Sequence, residues 1–461
     1  MGRMAGTIWI GLFLSIAGRA NAETPSAAVA DPKISDLAGQ WSVLYNDTAV
    51  HVYTFDKDGK MSGWESDGEG RDVALTGQLL FNDGRLFLNL FGNQPGEIPP
   101  LERLSPQPDG RLTFEHWNPR ANFNAGKGPD VMGSGVPARG KDGRGVEAVD
   151  GVMLKYLQQI GCSAAAITIM RGGKTYFSRG YGWSDEKHEL ALSADTPMVI
   201  ASCDKELTMA AIRQLAQDGK LDLNGSVLEI LKAKPLGPVV DPRVWHITVN
   251  HLLAGQAGWQ GDPLARADEA YAAMQGKNGV PGPETLLSYD TRLGLVMTQK
   301  LAWAPGSQAI YDSFGYGMLK LIITRISGQS YADYLRSQLC RPYGVEELKW
   351  IRQGVRQKGE PPQLWNGLIM EDPVELRMGV SMPALGTFMH CFWHNGVPAG
   401  KGSINCAWGG SWDNCTALML WRSDGLNVAV AFNGRADGAN PETEIHQAIN
   451  WLLEQKKIPS S

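Results

Sequence analysis

Asp195-Thr196-Pro197-Met198-Val199-Ile200-Ala201-Ser202-Cys203-Asp204-Lys205-Glu206-Leu207-Thr208 is the stretch that decides the fold. Met198 to Ile200 is a short apolar run. A helical pattern then dominates from Ser202 to about Asp218. The reading is a strand end, a turn, and a helix that begins at a serine. Lys205 lies three residues after Ser202, so both side chains share one helix face. A serine hydroxyl is a weak nucleophile at neutral pH and needs a base. Lysine serves as that base only when its pKa falls from about 10.4 toward neutrality, through burial or nearby cationic groups. The helix N-terminus favours the developing negative charge by about 0.3–1 kcal/mol. Taken alone, Ser-x-x-Lys is a common pattern, and a serine opening a helix is ordinarily an N-cap. The flanking chain has to carry the rest.

Working outward, Val146 to Gln159 has helical spacing, and strands follow at Ala164 to Met170 and Thr175 to Tyr181 around the turn Arg171-Gly172-Gly173. Helices are expected from Tyr316 to Ile326 and from Ser381 to His394. Strands return at Thr416 to Trp421 and Leu426 to Phe432, and a helix from Glu442 to Gln455 closes the chain. Strands at both ends with helices between predict an antiparallel sheet assembled from both ends, carrying a helical insertion. Residues 146–461 thus read as one α+β domain.

The N-terminal part is different. Residues 37–118 hold short strand-like runs, Trp41 to Tyr45, Val50 to Phe55, Ala74 to Phe81, Arg85 to Leu90 and Arg111 to Trp117. Asp58-Gly59, Asp83-Gly84 and Asp109-Gly110 stand between runs as turn signals. This is a small all-β sandwich or barrel, whether a lid, a binding module or plain packing. Residues 119–145 are punctuated by Gly126, Gly128, Gly133, Gly135, Gly140, Gly143 and Gly145 and read as a linker. Residues 1–22 have the three parts of a secretory signal peptide: Arg3, an apolar run from about Thr7 to Ala17, and the small-x-small site Ala20-Asn21-Ala22. A periplasmic or secreted location follows as an expectation.

Among the chain's 461 residues, 43% are hydrophobic and 20% charged, which excludes a disordered chain, and the net charge of −5 with no basic stripe argues against nucleic acid. No segment of the mature chain is long and apolar enough to span a bilayer. The six cysteines match no zinc pattern. Cys406 and Cys415 flank a predicted turn, where an export compartment would permit a disulfide; buried free thiols are the alternative. His390 and His394 are four apart on a predicted helix without a third ligand, so neither metal nor organic cofactor is expected.

From Val146 onward the chain resembles the serine beta-lactamase and penicillin-binding-protein superfamily, in the class C-like branch that includes DD-peptidases and family eight esterases. The blocks come in the family's order: Thr175 to Gly182, the nucleophile block 195–208, Gly219-Lys220-Leu221-Asp222-Leu223, Ile247 to Leu253, then Pro305-Gly306-Ser307, Tyr311-Asp312-Ser313 and Gly315-Tyr316-Gly317. The resemblance implies a beta-lactamase/transpeptidase-like domain with Ser202 as acylated nucleophile, Lys205 as its base and Tyr311 as proton shuttle. It also implies an oxyanion hole from the backbone N–H groups of Ser202 and Ser411.

Three departures qualify this. The family's Lys-Thr-Gly or His-Thr-Gly motif is replaced by Trp408-Gly409-Gly410, as in family eight esterases, and tryptophan supplies neither charge nor proton to a substrate carboxylate. Ser313 stands where asparagine is usual. The stretch from Leu348 to Trp408 is short for the family. The expectation is a serine hydrolase acting on small-molecule or peptide substrates, esters first. A beta-lactamase or D-alanyl-D-alanine carboxypeptidase is the alternative, and a catalytically weak penicillin-binding or cell-wall ligand-binding protein the third. The oligomeric state stays open.

Overall fold

The computed structural model describes residues 33–458, apart from internal stretches of which 92–100, 118–130, 272–288, 352–376 and 399–404 are the longest. Two compact units divide the chain. One comprises Ala28–Glu206, Arg336–Ile369 and Leu376–Ser461; the other is built on Leu207–Leu335.

The first unit begins with eight antiparallel strands: β1 (Gly39–Tyr45), β2 (Ala49–Phe55), β3 (Lys60–Ser66), β4 (Asp72–Asn82), β5 (Arg85–Leu90), β6 (Leu101–Pro106), β7 (Leu112–Trp117) and β8 (Val131–Gly140). Each pairs with the next, and β8 pairs back to β1 from Trp41↔Pro137 to Tyr45↔Gly133, so the sheet closes. A closed eight-stranded sheet has an interior just wide enough for side chains to fill. Trp41, Val43, Tyr53, Phe55, Met61, Leu79, Leu88 and Phe114 fill it, all 3% exposed or less. The module is therefore a barrel, not a sandwich.

The linker expected over residues 119–145 is corrected in part: 131–140 is the strand that closes the barrel, while 118–130 and 141–145 lie outside the described residues. The glycines of β8 are there for space. A Cβ on Gly133 would stand 2.6 Å from the Tyr45 ring, and one on Gly135 2.6 Å from the Phe114 ring. Gly135→Ala should therefore destabilise the chain by about 1–3 kcal/mol, the usual cost of forcing atoms into a packed core. Urea unfolding followed by tryptophan fluorescence measures it. An unchanged midpoint would show that Gly135 does not sit against Phe114.

The C-terminal end of β8 also pairs with β10 (Lys174–Gly182), which continues into a five-stranded antiparallel sheet. Its order is β10, β9 (Ala164–Arg171), β18 (Leu426–Phe432), β17 (Cys415–Trp421) and β16 (Cys406–Trp412). β9 and β10 come from the N-terminal side and β16 to β18 from the C-terminal side, as the strand pattern predicts. β9, β17 and β18 are apolar along almost their whole length because both sheet faces are covered. Helices α1 (Glu147–Ile160) and α5 (Glu442–Glu454) bury Val149, Met153, Leu157, Ile445 and Ile449 in the core that also holds Ile167, Ile169, Val428 and Val430. Helix α4 (Met382–Cys391) also packs on β9 and β18. A short ribbon follows α4, β14 (Phe392–Trp393) against β15 (Val397–Pro398), so the expected helix to His394 stops three residues earlier. A small sheet joins β11 (Met198–Val199), β13 (Arg377–Val380) and β12 (Leu348–Ile351).

In the second unit, helix α3 (Ser313–Ser327) is the centrepiece, with Phe314, Met318, Leu319, Ile322 and Ile323 fully buried. Tyr289 stacks on Phe314 at 5.4 Å, and its hydroxyl donates to the Phe314 carbonyl at 3.1 Å. Among the described residues no helix is long and apolar enough to cross a membrane.

Candidate active site

The decisive stretch folds as a strand, a sharp turn and a helix. β11 pairs through Met198↔Val380 and Val199↔Gly379, and the Ile200 N–H donates to the Met378 carbonyl at 3.2 Å. Ile200 is fully buried, which anchors the turn. Ala201 then takes φ +44°, a left-handed conformation that costs an L-residue roughly 1–2 kcal/mol. A single 3-10 turn, Ala201–Cys203, runs straight into α2 (Asp204–Gln217). Ser202 thus sits within the first turn of a helix, where backbone N–H groups lack helical partners and the helix dipole is positive.

Lys205 Nζ donates to Ser202 Oγ at 3.1 Å, and Lys205 is only 7% exposed. The pair expected from the sequence is formed, with its lysine largely out of water.

β16, at the end of the sheet order, docks on this turn. The Trp408 indole N–H donates to the Ser202 carbonyl at 2.8 Å, and Cys203 Sγ lies 3.7 Å from the Trp408 carbonyl. Gly410 makes the closest approach. A Cβ there would lie 2.3 Å from the Ile200 carbonyl oxygen, 2.8 Å from Ser202 N and 2.9 Å from Cys203 N. Only glycine fits between the strand and the turn. Ser411 follows at an exposed position, paired in register with Thr416 on β17. Ser202, Lys205, Trp408, Gly410 and Ser411 are therefore gathered in one unit.

Tyr311 and Ser313 belong to the other unit. Tyr311 is 43% exposed, and Ser313 is the exposed first residue of α3. Asp312 between them caps α3, accepting from the N–H groups of Phe314 at 2.9 Å and Gly315 at 3.1 Å. The preceding segment is strapped down by Gly306 N–H to the Gln256 carbonyl, 2.9 Å, and Ile310 N–H to the Gly255 carbonyl, 2.8 Å. Gly306 also lies against His251, whose Nε2 would be 2.9 Å from a Cβ. Separate sequence blocks, 247–253, 305–307 and 311–313, thus form one local structure.

Sequence reasoning missed Glu206 and weighed His394 only as a metal ligand. Glu206, next to Lys205, is fully buried. His394 Nδ1 lies 2.8 Å from Glu206 Oε1, and the Asn395 N–H donates to Glu206 Oε2 at 2.9 Å. The His394 ring lies 5.5 Å from Trp408 and 5.9 Å from Trp421. Burial alone would lower the His394 pKa; hydrogen bonds and charge contacts with Cys406 and Glu206 override it and raise it to about 10. These contacts, above all the 2.8 Å one to Glu206, favour the protonated form of His394. The one available signal was a glutamate four residues after Ser202, on the same helix face. His390, which sequence spacing put beside His394, is exposed near the end of α4.

None of the six cysteines is joined in a disulfide. The suggested Cys406–Cys415 pair fails on register: Cys406 faces Trp421 and Trp412 faces Cys415, so the two cysteines sit at opposite ends of the β16–β17 hairpin.

With this geometry in hand, comparison with known proteins gives a consistent result. Protein flp of Staphylococcus aureus (strain MW2) is 26% identical over 212 residues, 46% of this chain and 40% of that protein. The putative penicillin-binding protein PbpX of Bacillus subtilis (strain 168) is 29% identical over 190 residues, 41% of this chain and 42% of its own length. The chain thus spans about two fifths of the length of these curated relatives. In three dimensions, a beta-lactamase/D-alanine carboxypeptidase from Yersinia pestis superposes with a TM-score of 0.50 at 16% identity, covering 67% of this chain and 97% of that one, which shows the shared fold. The Beta-lactamase family model matches residues 149–389, more than half of the sequence and the part that contains Ser202 and Lys205, so the chain belongs to the beta-lactamase family.

Proposed function

We propose that this protein is a serine hydrolase that works through an acyl-enzyme on Ser202, and that its substrates are esters. The observation that carries the reading is the part-buried 3.1 Å contact between Lys205 Nζ and Ser202 Oγ, held on a turn against which only Gly410 fits. Ser202 Oγ attacks the ester carbonyl as its proton passes to Lys205. The tetrahedral oxyanion forms against the backbone N–H groups of Ser202 and Ser411, where a single donor is typically worth about 10²–10³ in rate. Collapse expels the alcohol, protonated through Lys205 and Tyr311, and leaves the acyl group on Ser202. Water then repeats the sequence and releases the acid.

Support for esters comes from Trp408. It occupies the position where the superfamily carries lysine or histidine, and its single N–H donates to the Ser202 carbonyl. It offers no charge to the carboxylate that penicillins and D-alanyl peptides bear. The names of PbpX and of the Yersinia pestis structure motivate the second reading, a β-lactam or D-alanyl peptide substrate. A three-substrate panel separates them. Turnover of p-nitrophenyl butyrate with no nitrocefin hydrolysis is the expected result. Nitrocefin turnover comparable to that of the ester would replace the ester reading by the lactamase one. Stable labelling by a fluorescent penicillin without turnover of either would replace both by a penicillin-binding role. The leader-like residues 1–22 further support an exported protein.

A further inference from the structure

We infer that the His394–Glu206 ion pair is a positioning device for the nucleophile, in which His394 cancels the Glu206 charge so that Lys205 can give up its proton. The inference rests on Lys205 acting as the base for Ser202.

Glu206 stands immediately after Lys205 and four residues after Ser202, in the first turns of α2. A fully buried carboxylate so placed would hold Lys205 as an ammonium, because an opposite charge nearby favours the charged form. An ammonium cannot accept the Ser202 proton. The structure answers that with a partner delivered from 188 residues away, at 2.8 Å, on the tight turn between β14 and β15. Asn395 adopts φ +64° in that turn, and its N–H takes up the second carboxylate oxygen. Both oxygens of Glu206 are thereby engaged by one hairpin tip.

The surroundings favour the charged form of His394. Its ring lies against the indoles of Trp408 and Trp421, whose faces attract a cation. Trp408 in turn donates to the Ser202 carbonyl, so the pair also braces the turn that presents the nucleophile. The other titratable groups around the pair are Cys203 in the 3-10 turn, Asp204 at the start of α2, Cys406 on β16 and Cys415 on β17. Cys406 acts with Glu206 to raise the His394 pKa. Burial, and then Glu206, push the Cys203 thiol well above its ordinary value, so it stays neutral. That leaves Asp204, at the start of the helix, as the other carboxylate close in sequence to Lys205.

The sign of the effect is testable with two isosteric substitutions. His394→Gln keeps a donor for Glu206 but leaves its charge uncancelled; Glu206→Gln removes that charge. The readout is the rate at which a fluorophosphonate probe labels Ser202, followed from pH 5 to 10 on the full chain. In that step Ser202 Oγ bonds to phosphorus, fluoride leaves, and the serine proton passes to the base. No carboxylic ester substrate need be known.

The limb on which labelling rises with pH should move up by about one pH unit in His394→Gln and down by about one unit in Glu206→Gln. It should return to its wild-type position in the double variant. A residue that served only to hold the fold would change amplitude or melting temperature without moving the limb in opposite directions. Should His394→Gln fail to fold, wild type, Glu206→Gln and the double variant still give the comparison. Limbs that coincide in the folded variants, or shift the same way in both single variants, overturn the inference while leaving Ser202 as nucleophile. No labelling of the wild type at Ser202 overturns both the inference and the proposed function.

Discussion

Ser202→Ala is expected to abolish hydrolysis of p-nitrophenyl butyrate by the full chain, lowering kcat by about 10⁴-fold or more, and to leave the protein folded. The size follows from removing the only atom that forms the covalent bond; what remains is binding and the oxyanion site, and units of this kind lose about as much from one deletion as from all. Survival of the fold follows from where the hydroxyl points. Ile200, not Ser202, is the N-cap of this turn. Ser202 Oγ accepts from Lys205 at 3.1 Å, so the ordinary role of a serine that opens a helix, capping its N-terminus, does not describe this site. Lys205→Ala should show a comparable loss of kcat, for lack of the base. The checks are steady-state rates together with the melting temperature of each variant. Hydrolysis that persists in Ser202→Ala would place the chemistry elsewhere and undo the assignment.

The order of elements from residue 146 onward was legible because each rests on local pattern. The turn-then-helix at Ser202, the hairpin around Gly172-Gly173 and the two C-terminal strands all announce themselves within ten residues or so. Burial on both faces made β17 and β18 continuous apolar runs that are hard to misread. What was illegible is what depends on distant partners. β8 looks like a linker because its glycines make room for Tyr45 and Phe114, rings supplied by other strands. β3, Lys60–Ser66, buries Met61 in the barrel and Trp64, three residues on, in the core that holds Val149 and Ile167, so it shows no two-residue alternation and escaped notice. The partner of Glu206 lies 188 residues away and could not be found by spacing. The register that parts Cys406 from Cys415 likewise exists only in the paired hairpin.

Gly410→Ala, the other change with a large expected effect, should cost about 10²–10³ in kcat, with a smaller change in KM. The added methyl carbon would fall 2.3 Å from the Ile200 carbonyl oxygen, 2.8 Å from Ser202 N and 2.9 Å from Cys203 N. All three are backbone atoms, so no side chain can swing aside to admit it. Either β16 retreats from the turn or the turn deforms. Each outcome moves the backbone N–H of Ser202 relative to Ser411, and the loss of one oxyanion donor accounts for the expected size. Either also strains the Trp408 to Ser202 contact at 2.8 Å, so a lower melting temperature is expected alongside. Gly409→Ala is the control on the same strand. Its Cβ would meet only Leu418 Cδ2 at 3.6 Å and the Ala417 carbonyl oxygen at 3.9 Å, ordinary van der Waals contacts, and activity should stay near wild type. If Gly410→Ala turned over at the rate of Gly409→Ala, the close approach of β16 would have no part in catalysis. The oxyanion role given to Ser411 would then fall with it, because Ser411 is placed by the residue that precedes it.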